Sequence, residues 1–153
     1  MPPDERKMIL AGAATFSSLC VTCHGPAGKG IAVAGTTSFA APPLAGSSQR
    51  LGGDKNNLVK IVLHGLSGPV DGKTYPSIMP SLGANSDEWV ASVVNYVRYE
   101  FGKVNTRRRP GDTQTPFVTA AEVKAIREKN ASRNKPWTLE ELEKKDVPSQ
   151  ASN

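Results

Sequence analysis

Cys20-Val21-Thr22-Cys23-His24 decides how this chain is read: two thiols three positions apart, followed at once by an imidazole. They are the only cysteines among 153 residues. C-x-x-C-H is the pattern of c-type haem attachment, in which each thiol forms a thioether to a haem vinyl group and the adjacent imidazole is delivered to the iron. Other readings of the pair fit less well. A disulfide here would close a small loop with little entropic gain, a structural zinc site needs four protein ligands, and a thioredoxin-like motif wants a βαβ context. None of these requires His24, no further cysteine could complete a zinc site, and no βαβ pattern surrounds the motif.

Upstream, residues 4–19 read as a helix, with Met8, Ala11, Phe16 and Leu19 recurring at helical spacing. Asp4 and Glu5 suit its positive N-terminus. Gly12, Phe16 and Cys20 step by four along it, so a gap, a large ring and the first thiol share one face. A mid-helix Gly costs about 1 kcal/mol relative to Ala, which is easiest to justify where another helix crosses closely. Downstream, residues 25–57 hold ten Gly or Pro and should form neither a helix nor a regular strand. So long an irregular stretch is unusual in a compact domain, unless it wraps a large flat apolar group. The composition agrees: 14 Gly and 12 Pro with 6% aromatic residues leave little side-chain volume for an ordinary core. A short helix is expected from Asp54, an N-cap, to His64-Gly65, then a turn-rich segment over 65–83. A last core helix should run from Ser86 to about Phe101, carrying Trp89, Val93, Tyr96 and Val97, with Gly102 as its stop.

Within the turn-rich segment, Tyr75-Pro76-Ser77-Ile78-Met79-Pro80 sets a thioether between two prolines that stiffen the backbone. Met commonly fills core gaps. Soft sulfur also suits haem iron, and a Met opposite His raises the reduction potential, which makes Met79 the favoured sixth ligand. The rival is His64, the only other histidine, placed where an imidazole could instead satisfy terminal helix carbonyls.

With these motifs in order, the chain resembles the class I c-type cytochromes over residues 4–102. The residues that carry the resemblance are the Gly12/Phe16/Cys20 helix, Cys20-Val21-Thr22-Cys23-His24 with Gly25-Pro26-Ala27-Gly28-Lys29-Gly30 after it, Pro42-Pro43-Leu44, Met79-Pro80 and Asn95-Tyr96-Val97-Arg98. Pro43-Leu44-Ala45-Gly46-Ser47 and Val62-Leu63-His64-Gly65-Leu66-Ser67-Gly68-Pro69 make it most similar to bacterial monohaem cytochromes and cytochrome domains associated with periplasmic dehydrogenases. The resemblance implies an all-α, class I cytochrome c fold wrapped around one haem c held by Cys20 and Cys23, with His24 as proximal and Met79 as distal iron ligand. A proline carbonyl should accept the hydrogen bond from the other imidazole nitrogen of His24, supplied by Pro42 or Pro43, with Pro43 as the assigned site residue. Tyr75 is placed in the cofactor site beside Met79. Relatives often hold a propionate with a Trp after the Gly46-Ser47 position; Ser48-Gln49-Arg50 stands here, so Arg50 is the substitute by charge-assisted hydrogen bonding. The Gly12 and Phe16 face should cross the last helix near Tyr96.

The implied activity is single-electron shuttling between redox proteins such as a dehydrogenase, an oxidase or another cytochrome, by a monomer and not an enzyme. The alternative is a haem enzyme or gas sensor with an open sixth position. Attachment of this kind takes place outside the cytoplasm, so the expected compartment is periplasmic or otherwise extracytoplasmic. Met1-Pro2-Pro3-Asp4-Glu5 lacks an apolar signal-peptide core, and no run approaches the roughly 18 apolar residues of a membrane span. The expectation is a soluble chain, either trimmed or taken from a longer one.

Residues 103–153 lie outside this frame and are expected to form a linker and a C-terminal helical extension. The net charge of +5 is concentrated there, with eleven basic and seven acidic residues in 101–153 against eight and seven in 1–100. Residues 103–116, with Arg107-Arg108-Arg109-Pro110-Gly111, read as a surface linker. Two capping boxes follow, Thr119-x-x-Glu122 and Thr138-x-x-Glu141, each with a staple pair, Val118 with Val123 and Trp137 with Leu142. The extension should pack Val123, Ile126, Trp137 and Leu142 onto the core, the other reading being a positive docking element for an acidic partner. Nucleic acid is not an expected partner, because the arginine run is short and has no aromatic interleaving.

Overall fold

The computed structural model describes residues 1–104 and 116–144. The arginine run at 107–109 and most of the expected linker lie outside the described residues. Helix α1, Pro3–Thr15, starts with a proline in its first turn and carries Asp4 and Glu5 there. It does not stop at Leu19 as the sequence suggested. A π-helical turn, Phe16–Cys20, continues into α2, Val21–His24, and only Gly25, at φ 76°, ends the run. Nothing between Phe16 and His24 breaks a helix, so both thiols and the imidazole ride on one helical segment. The wide turn sits where Cys20 enters it, a position where π-turns often mark functional sites.

Helix α3, Ser48–Leu51, is a departure from the irregular stretch expected over 25–57: between Gly46 and Gly52 five consecutive residues lack Gly and Pro, enough for one turn. Helix α4, Lys55–His64, is capped by the Asp54 carboxylate, which accepts from the Asn56 amide, and stops at Gly65. Helix α5, Asp87–Glu100, is capped by the Ser86 hydroxyl accepting from the Trp89 amide. Both match the sequence reading, since their signals are local.

Helices α1 and α5 cross at Gly12. A Cβ there would run into the Ser92 carbonyl and lie 2.7 Å from the Tyr96 Cβ. The Phe16 ring, one turn along, sits 5.5 Å from that of Tyr96, where the family resemblance put the crossing, and 5.5 Å from that of Phe101. Gly12→Ala therefore tests two opposed terms. Helix propensity favours Ala by about 1 kcal/mol, whereas overpacking against fixed backbone typically costs about 1–3 kcal/mol. The collision is with a main-chain oxygen that no rotamer can move, so the cost falls toward the upper end and the expected result is a net loss of up to about 2 kcal/mol. A lower urea midpoint for the holoprotein checks it; a raised midpoint would mean the helices can part at no cost.

Among the described residues, most of the buried side chains fall in two clusters. Val59, Val62 and Leu63 of α4 meet Val90, Ala91 and Val94 of α5, together with Val118 and Val123. Phe16, Leu51, Val97 and Phe101 form the second, against which Cys20 packs. Val118 and Val123 belong to the C-terminal extension and are 1% and 0% exposed, so this part of the extension completes the core. The Asn95 amide group donates to the Val118 carbonyl and accepts from its N–H, both at 2.8 Å. The Lys55 ammonium donates to the Phe117 carbonyl at 3.0 Å and to Glu122 at 2.7 Å. Burial alone would raise the Glu122 carboxyl, but the hydrogen bonds from Lys55 and Thr119 outweigh it and hold it below its ordinary value.

Both capping boxes are formed. Thr119 and Glu122 start α6, Ala120–Lys129, and Thr138 and Glu141 start α7, Leu139–Glu143. Among the described residues the fold is all-α apart from one pair of two-residue strands, β1 at Leu66–Ser67 and β2 at Trp137–Thr138, which run parallel with Leu66 opposite Trp137. No alternation of polarity can announce a strand of two residues.

Candidate haem site

The end of α2 presents His24 to a loop that folds back over it. Its ring Nδ1 lies 3.1 Å from the Pro42 carbonyl oxygen. A carbonyl can only accept, so Nδ1 carries the proton and Nε2 keeps a free lone pair, the arrangement that fixes an imidazole as a metal ligand. Burial pushes the His24 pKa down, with the Pro42 hydrogen bond opposing, and this keeps the ring neutral at pH 7. The loop is tied to the motif by the Gly30 amide donating to the His24 carbonyl at 2.8 Å.

The carbonyl beside His24 is thus that of Pro42, which corrects the assignment to Pro43. The Pro43 carbonyl accepts instead from the Ser47 hydroxyl at 2.9 Å. Successive carbonyls of one chain point in different directions, and the sequence does not reveal which of two adjacent prolines faces the ring.

Beside His24 opens a cavity of about 430 Å³. Cys20, Cys23, His24, Pro42 and Met79 all line it, with aliphatic side chains such as Ile61, Val62, Leu66 and Val93 making much of the remaining wall. Both cysteines are free thiols, Cys20 half-buried and Cys23 exposed, and burial pushes the Cys20 thiol up. Met79 is fixed by its backbone: its N–H donates to the Leu66 carbonyl at 3.1 Å and its carbonyl accepts from the Leu66 N–H at 3.2 Å. Gly65, at φ 85°, makes the approach possible, because a Cβ there would collide with the Met79 carbonyl. Arg50 and Tyr75 also border the cavity. The Arg50 guanidinium is held by Asp71 at 2.6 Å and by the Ser47 hydroxyl at 2.9 Å, so it is anchored at the rim and not a free loop cation.

His64, the rival ligand, is not part of the cavity wall. Its ring meets Trp137 edge-on at 6.2 Å, and burial, followed by the charge of Arg133, pushes its pKa down. Sequence reasoning did not place Leu139, Leu142 or Glu143 of α7 in the wall, although it expected Leu142 to pack on the core. Their capping box and staple announced a helix but carried no information on where it would dock.

Two thiols and a neutral imidazole on one helix, a thioether facing the same apolar cavity and an arginine at its rim are a donor set that fits haem c. A family model described as cytochrome c matches residues 9–100, and the chain belongs to the cytochrome c family. Its cofactor is covalently bound haem c, and its role is that of a haem-based electron carrier. Over 124 residues it is 32% identical to cytochrome c-552 of Thermus thermophilus, covering 78% of this chain and 86% of that one. It is also 27% identical over 124 residues to the fructose dehydrogenase cytochrome subunit of Gluconobacter japonicus, covering 72% of this chain but 24% of that subunit.

Proposed function

We propose that the protein is a single-electron carrier whose haem iron is held on one side by His24 and on the other by Met79, and which passes electrons between extracytoplasmic redox proteins. The observation that carries this reading is that His24 and Met79, from separate elements, border one cavity while each is held by hydrogen bonds to a main-chain neighbour, Pro42 for His24 and Leu66 for Met79. Haem c bound there supplies reversible one-electron chemistry at a potential raised by a Met ligand. The residues of the chain do the rest. Cys20 and Cys23 anchor the group, the Pro42 carbonyl keeps the His24 tautomer, Arg50 compensates a propionate, and the aliphatic wall excludes water.

Were His24 and Met79 both to hold the iron, no site would be left on it for a substrate or dioxygen, which favours transfer over catalysis. Leu19 and Ile78, 45% and 61% exposed, border the cavity and put apolar surface at its edge, suited to the brief, small contacts of redox encounters. A dehydrogenase is a fitting donor, since one relative is named as the cytochrome subunit of such an enzyme. Among the described residues no helix is long and apolar enough to cross a membrane.

The test is the visible spectrum of the holoprotein in both oxidation states, with carbon monoxide added to the reduced form. A weak long-wavelength sulfur-to-iron band in the ferric protein and no response to carbon monoxide are expected. A high-spin spectrum with rapid carbon monoxide binding would overturn the reading in favour of an enzyme or sensor.

A further inference from the structure

The family match ends at residue 100, yet residues well beyond it reach the ligand loop. Leu66 is shared by two neighbours. On one side it exchanges both main-chain hydrogen bonds with Met79, at 3.1 and 3.2 Å. On the other it stands opposite Trp137 in the parallel pair β1–β2, where the Trp137 N–H donates to the Gly65 carbonyl at 3.0 Å. Met79, Leu66 and Trp137 are therefore three successive rungs of one ladder.

The outer rung is itself clamped. The Arg133 guanidinium stacks 3.5 Å from the centroid of the Trp137 ring, and the Lys60 ammonium lies 5.3 Å from it. Arg133 also donates to both Glu141 oxygens, at 3.0 and 3.1 Å, and to the Pro136 carbonyl at 2.7 Å. Glu141 closes the capping box of α7, whose Leu139, Leu142 and Glu143 border the haem cavity. One short segment thus supplies part of the cavity wall and the backing of the ligand loop.

We propose that residues 133–143 form a strap that positions Met79, holding its loop through Leu66 so that the thioether stays on the iron against competing ligands. A two-residue bridge between Leu66 and Met79 has little stability of its own, since isolated strand pairs are marginal in water. A third rung supported by a stacked, ion-paired arginine supplies what the bridge lacks. Arg133 and Trp137 are positioning residues that act through Leu66. The inference rests on the His24/Met79 reading.

The experiment uses the ferric holoprotein, a variant ending after Lys135, and Arg133→Gln, which keeps the full chain should the shortened one fail to fold. Imidazole is the competing ligand, the long-wavelength sulfur band reports Met79, and hydrogen exchange follows the Met79 and Val94 amides. The expected result is imidazole binding about tenfold tighter in the shortened chain, the scale of one or two lost hydrogen bonds, and a smaller change in the same direction for Arg133→Gln. The Met79 amide should exchange faster while Val94 keeps its protection. A sulfur band in the unaltered protein with equal imidazole affinity in all three would overturn the strap alone, as would equal acceleration at Val94, which would mean general loosening. No sulfur band in the unaltered protein would overturn Met79 ligation and the strap with it.

Discussion

Replacing both Cys20 and Cys23 by Ala is expected to give a chain that keeps no covalent haem and has no cooperative unfolding transition. Any pigment carried through purification should be extractable by acid and organic solvent. The cavity they border measures about 430 Å³, and its aliphatic wall includes Val62, Val93 and Val97 from the two helices that make the core. At about 24 cal/mol per Å³ of enclosed void, leaving such a volume unfilled would cost at most on the order of 10 kcal/mol, comparable with the roughly 5–15 kcal/mol that stabilises a whole domain, and the part open to solvent would leave its aliphatic wall facing water. The loop over 25–47 cannot recover that loss, because its glycines and prolines hold few ladder hydrogen bonds of their own. Circular dichroism during heating decides the matter. A sigmoidal melt of the haem-free variant at the native midpoint would show that side chains alone make the core.

The features that could be read from the chain are those set by neighbours in sequence. Asp54, Ser86, Thr119 and Thr138 each place a cap oxygen two or three residues before the amide it accepts from, and all four caps are formed. The attachment motif is equally local. What escaped is what depends on distant partners. The turn at Ser48–Leu51 is shorter than any periodic signal, and β1 and β2 exist only because Leu66 and Trp137 meet across some seventy residues of chain. The choice between Pro42 and Pro43 turns on the direction of one carbonyl. The contribution of α7 to the cavity is a matter of docking, which an amphipathic pattern announces without an address. Gly12 bridges the two cases: its spacing from Phe16 and Cys20 implied a crossing helix, the family resemblance put that crossing near Tyr96, and the fold adds the Ser92 carbonyl as the nearest contact.

Met79→Ala is expected to change function far more than stability. Met79 is only partly buried, and it packs against the rim of the α4/α5 cluster, so the packing loss falls at the low end of the about 2–5 kcal/mol seen for Met to Ala. On the proposed His24/Met79 ligation, the lost thioether has no substitute. His64 points its ring at Trp137 and is absent from the cavity wall, and the polar wall residues nearest in sequence, Thr74, Tyr75 and Ser77, offer hard oxygens that bind ferrous iron poorly. The sixth position should therefore take water or an added ligand. The sulfur band should vanish, carbon monoxide should bind the reduced protein rapidly, and the reduction potential should fall by on the order of 0.1 V or more, within the roughly 0.8 V range that axial ligands span. Potentiometric titration of both proteins measures this directly. An unchanged potential together with continued indifference to carbon monoxide would mean that another side chain holds the iron, and Met79 would revert to the ordinary role of filling the core.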